Sequence, residues 1–313
     1  MIDMTFIIPI RVDTEDRIYN CLTILRFLNQ YFPQSEILLM EQDAEIRTDR
    51  ITEAFPLVRR DFALNSGRFS KSVAVNTGIA LSTRELICMC DTDILLHPDA
   101  LLRAAEMLRK RSTIVVIPHN RIFLDVSGEL RSEISSTLDM EKYGRVRKFS
   151  EVPIRSGLAS RDCNGGIFVA RKEILQLEGG LNKKMISYGW EDTEFIRRLD
   201  KLGYYTFMLP QFNLVHLEHR RGPDSQVNEM YDINRLEFEK INSMNRHQLQ
   251  LYVESELDIA PAQDRVRRSL IRRRQSLVNI LTFQWLAHVI NKVNVNLQIN
   301  GVSKFLRKFV HAT

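Results

Sequence analysis

Apolar and polar residues follow two alternating periods along the first part of the chain. Short apolar runs, typical of buried strands, occur at residues 5–10, 37–40, 86–90 and 114–117. Between these runs, apolar residues recur every three or four positions, which predicts amphipathic helices over residues 18–32, 70–81 and 98–109. Strands and helices that alternate in this way form βαβ units around a mostly parallel sheet. We therefore predict an α/β fold that binds its ligands beyond the carboxyl ends of the strands.

The periodic pattern is interrupted in the middle of the chain, where residues 124–162 are polar and irregular. A long insertion without periodicity is typical of a mobile binding loop, a disordered segment or a surface excursion, and we assign no chemistry to it. Helical spacing returns at Phe195, Leu199 and Leu202, and Gly203 is predicted to end that helix.

The composition is that of an ordinary folded protein. The chain has 313 residues, of which 44% are hydrophobic and 27% are charged, and this argues against disorder, a collagen-like repeat or a disulfide scaffold. Its longest apolar runs are far shorter than the roughly 20 residues that a membrane span needs. Its first residues lack the basic and small-residue features of a secretory signal, so we predict a cytoplasmic protein.

Four cysteines, Cys21, Cys88, Cys90 and Cys163, are few for this length, and none forms a CxxC pair. We interpret them as reduced thiols. Cys88 and Cys90 lie two residues apart in a predicted strand, so both side chains point to one face, which favours packing over metal binding.

Charge divides the chain into two parts near residue 260. Residues 261–313 contain ten lysines or arginines and one acidic residue, whereas the rest of the chain is slightly acidic. We therefore predict a catalytic domain over residues 1–260 and a basic helical extension over residues 261–313. Such a helix binds an anionic membrane surface, packs on the catalytic domain or joins copies of the chain in a homo-oligomer. Nucleic acid is not an expected partner, because the aromatic residues are not interleaved with the basic ones.

Two carboxylates follow the predicted strand 86–90 in the sequence Asp91-Thr92-Asp93. At the end of a buried strand they are placed to bind a cation, with one carboxylate on the ion and the other on a sugar hydroxyl or a water. Tripeptides of this kind are also common at helix caps and turns. The motif alone therefore leaves both interpretations open.

A second cluster of polar residues surrounds the start of the predicted helix at Glu191 and Asp192. Asn164-Gly165-Gly166 forms a turn before another predicted strand. The helix dipole favours acids in the first turn and lowers their pKa, which explains these acids without any catalysis. A catalytic base needs an opposing effect, which Trp190 would supply by excluding water.

A third cluster consists of His216 and His219, which follow an apolar run at residues 212–215. Histidines three positions apart reach one metal ion only if the backbone turns between them, because a straight strand points them to opposite faces. The alternative is that one or both are polar surface or loop residues. The spacing alone does not decide between the two.

In this order the motifs resemble those of glycosyltransferases with the GT-A fold, a Rossmann-like mixed sheet flanked by helices. The resemblance is closest to family 2 and to the related β-1,4-galactosyltransferase C-terminal module, and it covers about residues 4–245. The segments that carry it are Phe6-Ile7-Ile8-Pro9-Ile10-Arg11, Met40-Glu41-Gln42-Asp43, Phe69-Ser70-Lys71, Asp91-Thr92-Asp93, Asn164-Gly165-Gly166, Gly189-Trp190-Glu191-Asp192 and His216-Leu217-Glu218-His219.

The resemblance implies an inverting enzyme that uses Mn²⁺ or Mg²⁺. Its donor would be a nucleoside diphosphate-sugar, most simply a UDP-sugar, and its acceptor a hydroxyl group of a glycan or lipid-linked molecule in surface polysaccharide synthesis. A peripheral position on the inner face of the membrane fits such an acceptor. The rival interpretations are an inactive nucleotide- or glycan-binding scaffold subunit and a nucleotidyltransferase, although the chain has no GxGxxG or P-loop motif.

Matched positions assign roles to individual residues. Asp192 is implied as the catalytic base, with Glu191 beside it. Asp93, His219 and His216 are implied as metal ligands, and His216 stands where the galactosyltransferase pattern has a methionine. The residues implied in binding the nucleotide-sugar are Pro9, Arg11, Asp13, Asp43, Phe69, Lys71, Asp91, Gly165, Gly166 and Trp190.

The resemblance also implies specific contacts for some of these residues. Asp43 would contact the nucleoside, Lys71 would approach the base or ribose, and Gly165 and Gly166 would allow the backbone to approach the sugar closely. The sequence Gly189-Trp190-Glu191 replaces the double-glycine form of the galactosyltransferases, which weakens the expectation of galactose as the donor sugar.

Overall fold

The computed structural model describes residues 3–110, 114–153, 155–162 and 165–257. Cys163, Asn164, the predicted boundary at residue 260 and the basic extension at 261–313 lie outside the described residues. None of the described helices is both long enough and apolar enough to cross a bilayer.

Strands and helices alternate from the first described residues, as the periodicity predicts. The strands are β1 (Thr5–Ile10), β2 (Glu36–Asp43), β3 (Arg59–Leu64), β4 (Leu86–Cys90), β5 (Ile94–Leu95), β6 (Ile114–Ile117), β7 (Ile122–Val126), β8 (Leu158–Asp162), β9 (Ile167–Arg171), β10 (Tyr205–Met208) and β11 (Leu214–Leu217). The helices are α1 (Glu15–Tyr31), α2 (Asp49–Ala54), α3 (Lys71–Leu81), α4 (Pro98–Lys110), α5 (Gly128–Thr137), α6 (Lys172–Leu177), α7 (Glu191–Leu202), α8 (Met230–Ser243) and α9 (Arg246–Glu256).

The larger sheet of the described residues has seven strands in the order β10-β6-β9-β4-β1-β2-β3. Neighbouring strands are parallel except at β9, which runs antiparallel to both β4 and β6. The carboxyl ends of β1 and β4 therefore meet at one edge of the sheet, and the polar residues that follow them are brought together there.

The two faces of this sheet are covered by separate groups of apolar side chains. Phe6 and Ile8 of β1 belong to one core with residues of α1 and α4, whereas Ile7 belongs to the other with residues of α3 and α7. Cys88 and Cys90 both lie in the first core. Burial raises the pKa of both thiols, so their interpretation as packed, reduced side chains is consistent with the structure.

A smaller sheet of four strands, in the order β5-β11-β7-β8, stands beside the first. Strand β11 is parallel to β7 and antiparallel to β5, and β8 is antiparallel to β7. Because β5 begins directly after Asp93, this sheet connects the DxD segment to the strand that carries His216.

The interpretation of residues 124–162 as an irregular segment is wrong. The segment contains most of β7, helix α5, a short 3₁₀ turn at Phe149–Glu151 and strand β8. Leu130 and Ile134 of α5 are buried in the core that also contains α1. The sequence pattern misses these elements because each is short and has a polar outer face, so too few apolar positions repeat.

Candidate active site

A cavity of about 570 Å³ opens at the carboxyl ends of β1 and β4, beside the first turn of α7. Its walls include Pro9, Arg11, Asp13, Phe69, Lys71, Asp91, Asp93, Gly165, Gly166, Trp190, Glu191, Asp192, His216 and His219. The structure therefore brings together all but one of the site residues that the sequence predicts.

Asp43 is the exception, because it is not part of the cavity wall. Its carboxylate accepts hydrogen bonds from the backbone N–H groups of Val12, at 3.2 Å, and Ala44, at 2.8 Å. These bonds hold together the chain segments that follow β1 and β2. The expected contact of Asp43 with a nucleoside is therefore not supported by its position.

Three side chains at one end of the cavity converge on a single point. The Oδ2 atom of Asp93 lies 3.2 Å from Nε2 of His219 and 3.9 Å from Nε2 of His216. One ligand atom from each residue lies within 4.8 Å of the other two, and all three residues are buried. Strand β11 ends at Leu217, between the histidines, and both rings reach Asp93 as a shared site requires. One carboxylate and two imidazoles form a donor set that fits a divalent transition-metal ion.

Arg17 on α1 supplies positive charge beside these residues. Its Nη1 atom lies 2.6 Å from Asp93 Oδ2, and its Nε atom lies 3.5 Å from Asp13. Burial alone would raise the pKa of Asp93, but the hydrogen bond with His219 and the nearby His216 and Arg17 hold it well below its usual value. Asp93 therefore stays ionised, which a metal-binding carboxylate must be.

Lys71 joins the DxD segment to the acids of α7. Its Nζ atom lies 3.1 Å from Asp91, 3.1 Å from Asp192 and 3.6 Å from Glu191. Burial alone would lower the pKa of Lys71, but the three carboxylates raise it well above its usual value, so the ammonium group stays charged. The structure thus places Lys71 among the carboxylates, whereas the sequence comparison assigns it to the base or ribose.

Gly165 and Gly166 make room for the carboxylate of Asp192. A Cβ atom on Gly165 would lie 1.9 Å from Asp192 Oδ2, so a side chain there would displace the Asp192 carboxylate. The N–H group of Gly166 donates a hydrogen bond to the same oxygen at 3.3 Å, and its φ of +92° lies in the left-handed region that favours glycine. These glycines therefore contact the predicted base itself rather than only leaving space for a sugar.

Arg11 and Phe69 form another part of the cavity wall. The guanidinium group of Arg11 donates to the carbonyl oxygens of Asn65 and Gly67 and to the carboxylate of Asp224 at 3.1 Å. Its Cζ atom lies 5.6 Å from the centre of the Phe69 ring. A flat aromatic ring beside a fixed cation is suited to a nucleobase and a phosphate.

Trp190 is held in the cavity wall by an aromatic cluster from α8. Its ring stacks on Phe238 at 5.0 Å and is tilted against Tyr231 at 5.8 Å. Gly189 must be glycine, because its φ is +96° and a Cβ atom would lie 2.8 Å from the Tyr231 ring. The aromatic wall therefore stands directly before the first turn of α7, where Glu191 and Asp192 lie.

Comparison with known families agrees with this geometry. Residues 5–176, more than half of the chain, match the family model described as Glycosyl transferase family 2. The chain belongs to glycosyltransferase family 2. Residues 148–220 of this family 2 enzyme also match a model described as N-terminal domain of galactosyltransferase. No curated protein sequence matches it.

Solved structures of glycosyltransferases resemble this one in fold. The catalytic domain of Drosophila β-1,4-galactosyltransferase 7 with xylobiose, and a mutant of that protein with manganese, UDP-Gal and xylobiose, have TM-scores of 0.45 and 0.46 at 17% and 16% identity. Each match covers 75% of this chain and 80% of the other. GalNAc-T7 with UDP, GalNAc and Mn²⁺ has a TM-score of 0.52 at 12% identity, over 81% of this chain and 55% of its own. The family 2 enzyme has the GT-A fold that the motifs imply.

Sequence reasoning did not identify several residues of this family 2 enzyme. These residues line the cavity or contact its polar side chains. They are Arg17, Asp125, Arg161, Arg221, Asp224 and Tyr231. Only Arg221 and Asp224 had a sequence signal, because they follow the histidine cluster closely. The others lie on α1, α8 and the smaller sheet, and only the tertiary fold brings them to the site.

Among the carboxylates around Lys71, Glu191 has a pKa that is raised into the neutral range. Burial and the neighbouring charge of Asp192 raise the pKa of Glu191 to about 7, despite the opposing effect of Lys71. Between its ordinary value and about 7, the native protein therefore holds a proton that the unfolded chain releases. By linkage, this group makes the free energy of unfolding fall as pH rises through that interval.

We expect Glu191→Gln to stabilise the glycosyltransferase more at about pH 8 than at about pH 5, because the substitution removes an ionisation that folding disfavours. Denaturant unfolding of both proteins in a chelating buffer, at the two pH values, measures the difference. An equal effect of the substitution at both pH values would contradict the raised pKa.

Proposed function

We propose that this enzyme transfers a sugar from a UDP-sugar to a hydroxyl group of a glycan or lipid-linked acceptor, with inversion and with the help of Mn²⁺ or Mg²⁺. The observation that carries the proposal is the convergence of Asp93, His216 and His219 in the same cavity as Asp192. The same cavity thus holds a group of residues that can bind a cation and a carboxylate that can act as a base.

In the proposed reaction, Asp93, His216 and His219 would hold the ion. When bound, the cation would neutralise the negative charge that develops on the leaving nucleoside diphosphate. Two imidazole donors suit Mn²⁺ better than Mg²⁺, which prefers oxygen ligands, so we expect Mn²⁺ to support the higher affinity. Arg11 and Phe69, which lie beside each other in the cavity wall, would hold the nucleotide.

Asp192 is the proposed base. As the acceptor oxygen attacks the anomeric carbon, its proton passes to the Asp192 carboxylate and the bond from that carbon to the diphosphate oxygen breaks. Lys71, which lies 3.1 Å from both carboxylate oxygens, and the Gly166 N–H group fix the orientation of this carboxylate. Attack from the face opposite the diphosphate inverts the configuration at the anomeric carbon.

UDP is the first nucleotide to test, because GalNAc-T7, whose structure contains UDP, GalNAc and Mn²⁺, shares the fold. We expect a panel of nucleoside diphosphate-sugars to show release of nucleoside diphosphate with one donor in Mn²⁺, and none in excess chelator. Slow hydrolysis of the donor makes the assay independent of the acceptor. No release with any donor, or equal release in chelator, would contradict the proposal.

We also propose that the basic extension places the enzyme on an anionic membrane surface at the cytoplasmic side, where lipid-linked acceptors for surface polysaccharide would be reached. The support is its sequence, in which six arginines at residues 265–274 precede apolar residues at helical spacing.

Deletion of residues 262–313 should leave a protein that binds UDP but no longer sediments with anionic liposomes. Replacing the six arginines of 265–274 with glutamine is the matched control, since it keeps the chain length and should also abolish sedimentation. Unchanged sedimentation of the deleted protein, or its failure to fold, would favour packing of the extension on the catalytic domain or on a second copy.

A further inference from the structure

We propose that Asp125 positions the metal ligand His216, and that the metal site therefore extends to strand β7 of the smaller sheet. The inference rests on the proposed metal-dependent function. It assigns a role to a residue outside the cavity wall, through the hydrogen bond that this residue accepts from His216.

The contact between the two side chains is short and correctly oriented. Oδ1 of Asp125 lies 2.6 Å from Nδ1 of His216. A carboxylate can only accept, so Nδ1 donates to Asp125 and Nε2 is the ring nitrogen left to bind a cation. That Nε2 atom faces Asp93 Oδ2, 3.9 Å away, which is where a shared cation would be bound. Carboxylates that accept from a ligating histidine fix its tautomer and ring orientation and strengthen it as a donor.

The smaller sheet creates this contact directly. His216 on β11 and Asp125 on β7 are paired residues of two parallel strands, so their side chains leave the sheet on the same side. His216 is also paired with Ile94 of β5, which follows Asp93 by one position. Three adjacent strands thus bring together Asp93, which directly precedes β5, the ligand His216 on β11 and Asp125 on β7.

Arg161 on β8 holds Asp125 in turn. Its Nε atom lies 2.9 Å from Asp125 Oδ2, and its Nη2 atom donates at 3.3 Å to Oδ1, the oxygen that faces the histidine. The guanidinium group lies 4.2 Å above the ring centre of Phe123, and the same ring lies 4.9 Å from the His216 ring. Phe123 therefore packs against both the orienting pair and the ligand, which limits rotation of all three side chains.

His219 provides an internal comparison, because it is oriented without Asp125. Its Nδ1 atom lies 2.9 Å from the carbonyl oxygen of Arg220, which can only accept a hydrogen bond. Loss of Asp125 should therefore affect the metal site through His216 alone. This difference between the two histidines makes the proposal separable from a general loss of structure.

The test is calorimetric titration of Mn²⁺ into the full chain at saturating UDP. Asp125→Ala should weaken Mn²⁺ binding by about 10- to 100-fold, and Asp125→Asn by less, because the amide oxygen still accepts from Nδ1. Glu129→Ala, which removes an exposed acid close to Asp125 in sequence, should leave the affinity unchanged. Melting curves in chelator establish that each variant is folded.

A double-mutant comparison distinguishes orientation of His216 from any other effect. In a His216→Ala background, Asp125→Ala should weaken Mn²⁺ binding by less than about threefold further, whereas in a His219→Ala background it should keep its full effect. Titration with Co²⁺ adds a spectroscopic measurement, because the visible absorption band of Co²⁺ depends on its ligands. The band of Asp125→Ala should differ from that of the wild type. The bands of His216→Ala and of the double variant His216→Ala, Asp125→Ala should be the same.

If the wild-type protein does not bind Mn²⁺ in the presence of UDP, both the metal-dependent function and this inference are wrong. If the wild type binds Mn²⁺ but Asp125→Ala binds it equally well, or loses as much affinity in the His216→Ala background as alone, only the role of Asp125 is wrong.

Discussion

Replacing Asp192 with asparagine should lower the rate of sugar transfer by about 100-fold or more, the usual scale for loss of a general base. Asparagine keeps the size of the side chain and an oxygen that can accept from Lys71 and Gly166. It cannot take the proton of the acceptor hydroxyl. UDP and Mn²⁺ affinities should therefore stay within about threefold of the wild type, so that the loss appears in kcat rather than in donor binding.

Glu191→Gln is the matched control for this experiment. Glu191 occupies the same helical turn as Asp192 and also faces Lys71, but its Oε1 atom is farther from Nζ, at 3.6 Å. We expect the substitution to change the KM of the donor or acceptor more than kcat. If Asp192→Asn transfers sugar at a near wild-type rate, or if Glu191→Gln alone is inactive, the base has been assigned to the wrong residue.

Replacing Asp93 with alanine should abolish the metal-dependent part of UDP binding. The substitution removes the one carboxylate of the predicted metal site and leaves Arg17 without its 2.6 Å partner. The diphosphate would then have no bridging cation. Calorimetry should find the same weak UDP affinity for Asp93→Ala in Mn²⁺ as for the wild type in excess chelator.

Single replacements of the histidines should give a smaller loss of UDP binding than Asp93→Ala. His219→Ala and His216→Ala should each weaken Mn²⁺-supported UDP binding without abolishing it, because Asp93 and the other histidine remain. Asp99→Ala, which removes an exposed carboxylate from α4, should have no effect. Wild-type metal titrations for both histidine variants would show that other groups complete the metal site.

The core of the fold was predictable because its elements repeat apolar residues often enough to be recognised. Helix α1 and strands β1 and β4 agree closely with the predicted ranges. The edge strand β3 was missed, because its exposed face carries Arg59 and Asp61 and it does not read as an apolar run. Short or half-exposed elements give a weak periodic signal, and their structure is decided by tertiary packing.

Site residues were predictable where they belong to a local sequence motif, and not where only the tertiary fold brings them to the site. Asp93 and Asp192 stand in local motifs, so their sequence neighbours identify them. Asp125 stands in a segment without a motif, and only the pairing of β7 with β11 brings it to His216. Lys71 was recognised, but its contacts with three carboxylates depend on how α3 and α7 meet.

The position of β9 has a consequence for the order in which the protein can fold during synthesis. Strand β6 does not pair with β4, because β9 lies between them, and its other neighbour is β10. A nascent chain that has reached residue 160 therefore carries residues 114–117 with neither sheet partner made. Completion of the sheet must wait for residues 167–171 and 205–208, so the first half of the chain cannot complete the sheet before the second half has been made.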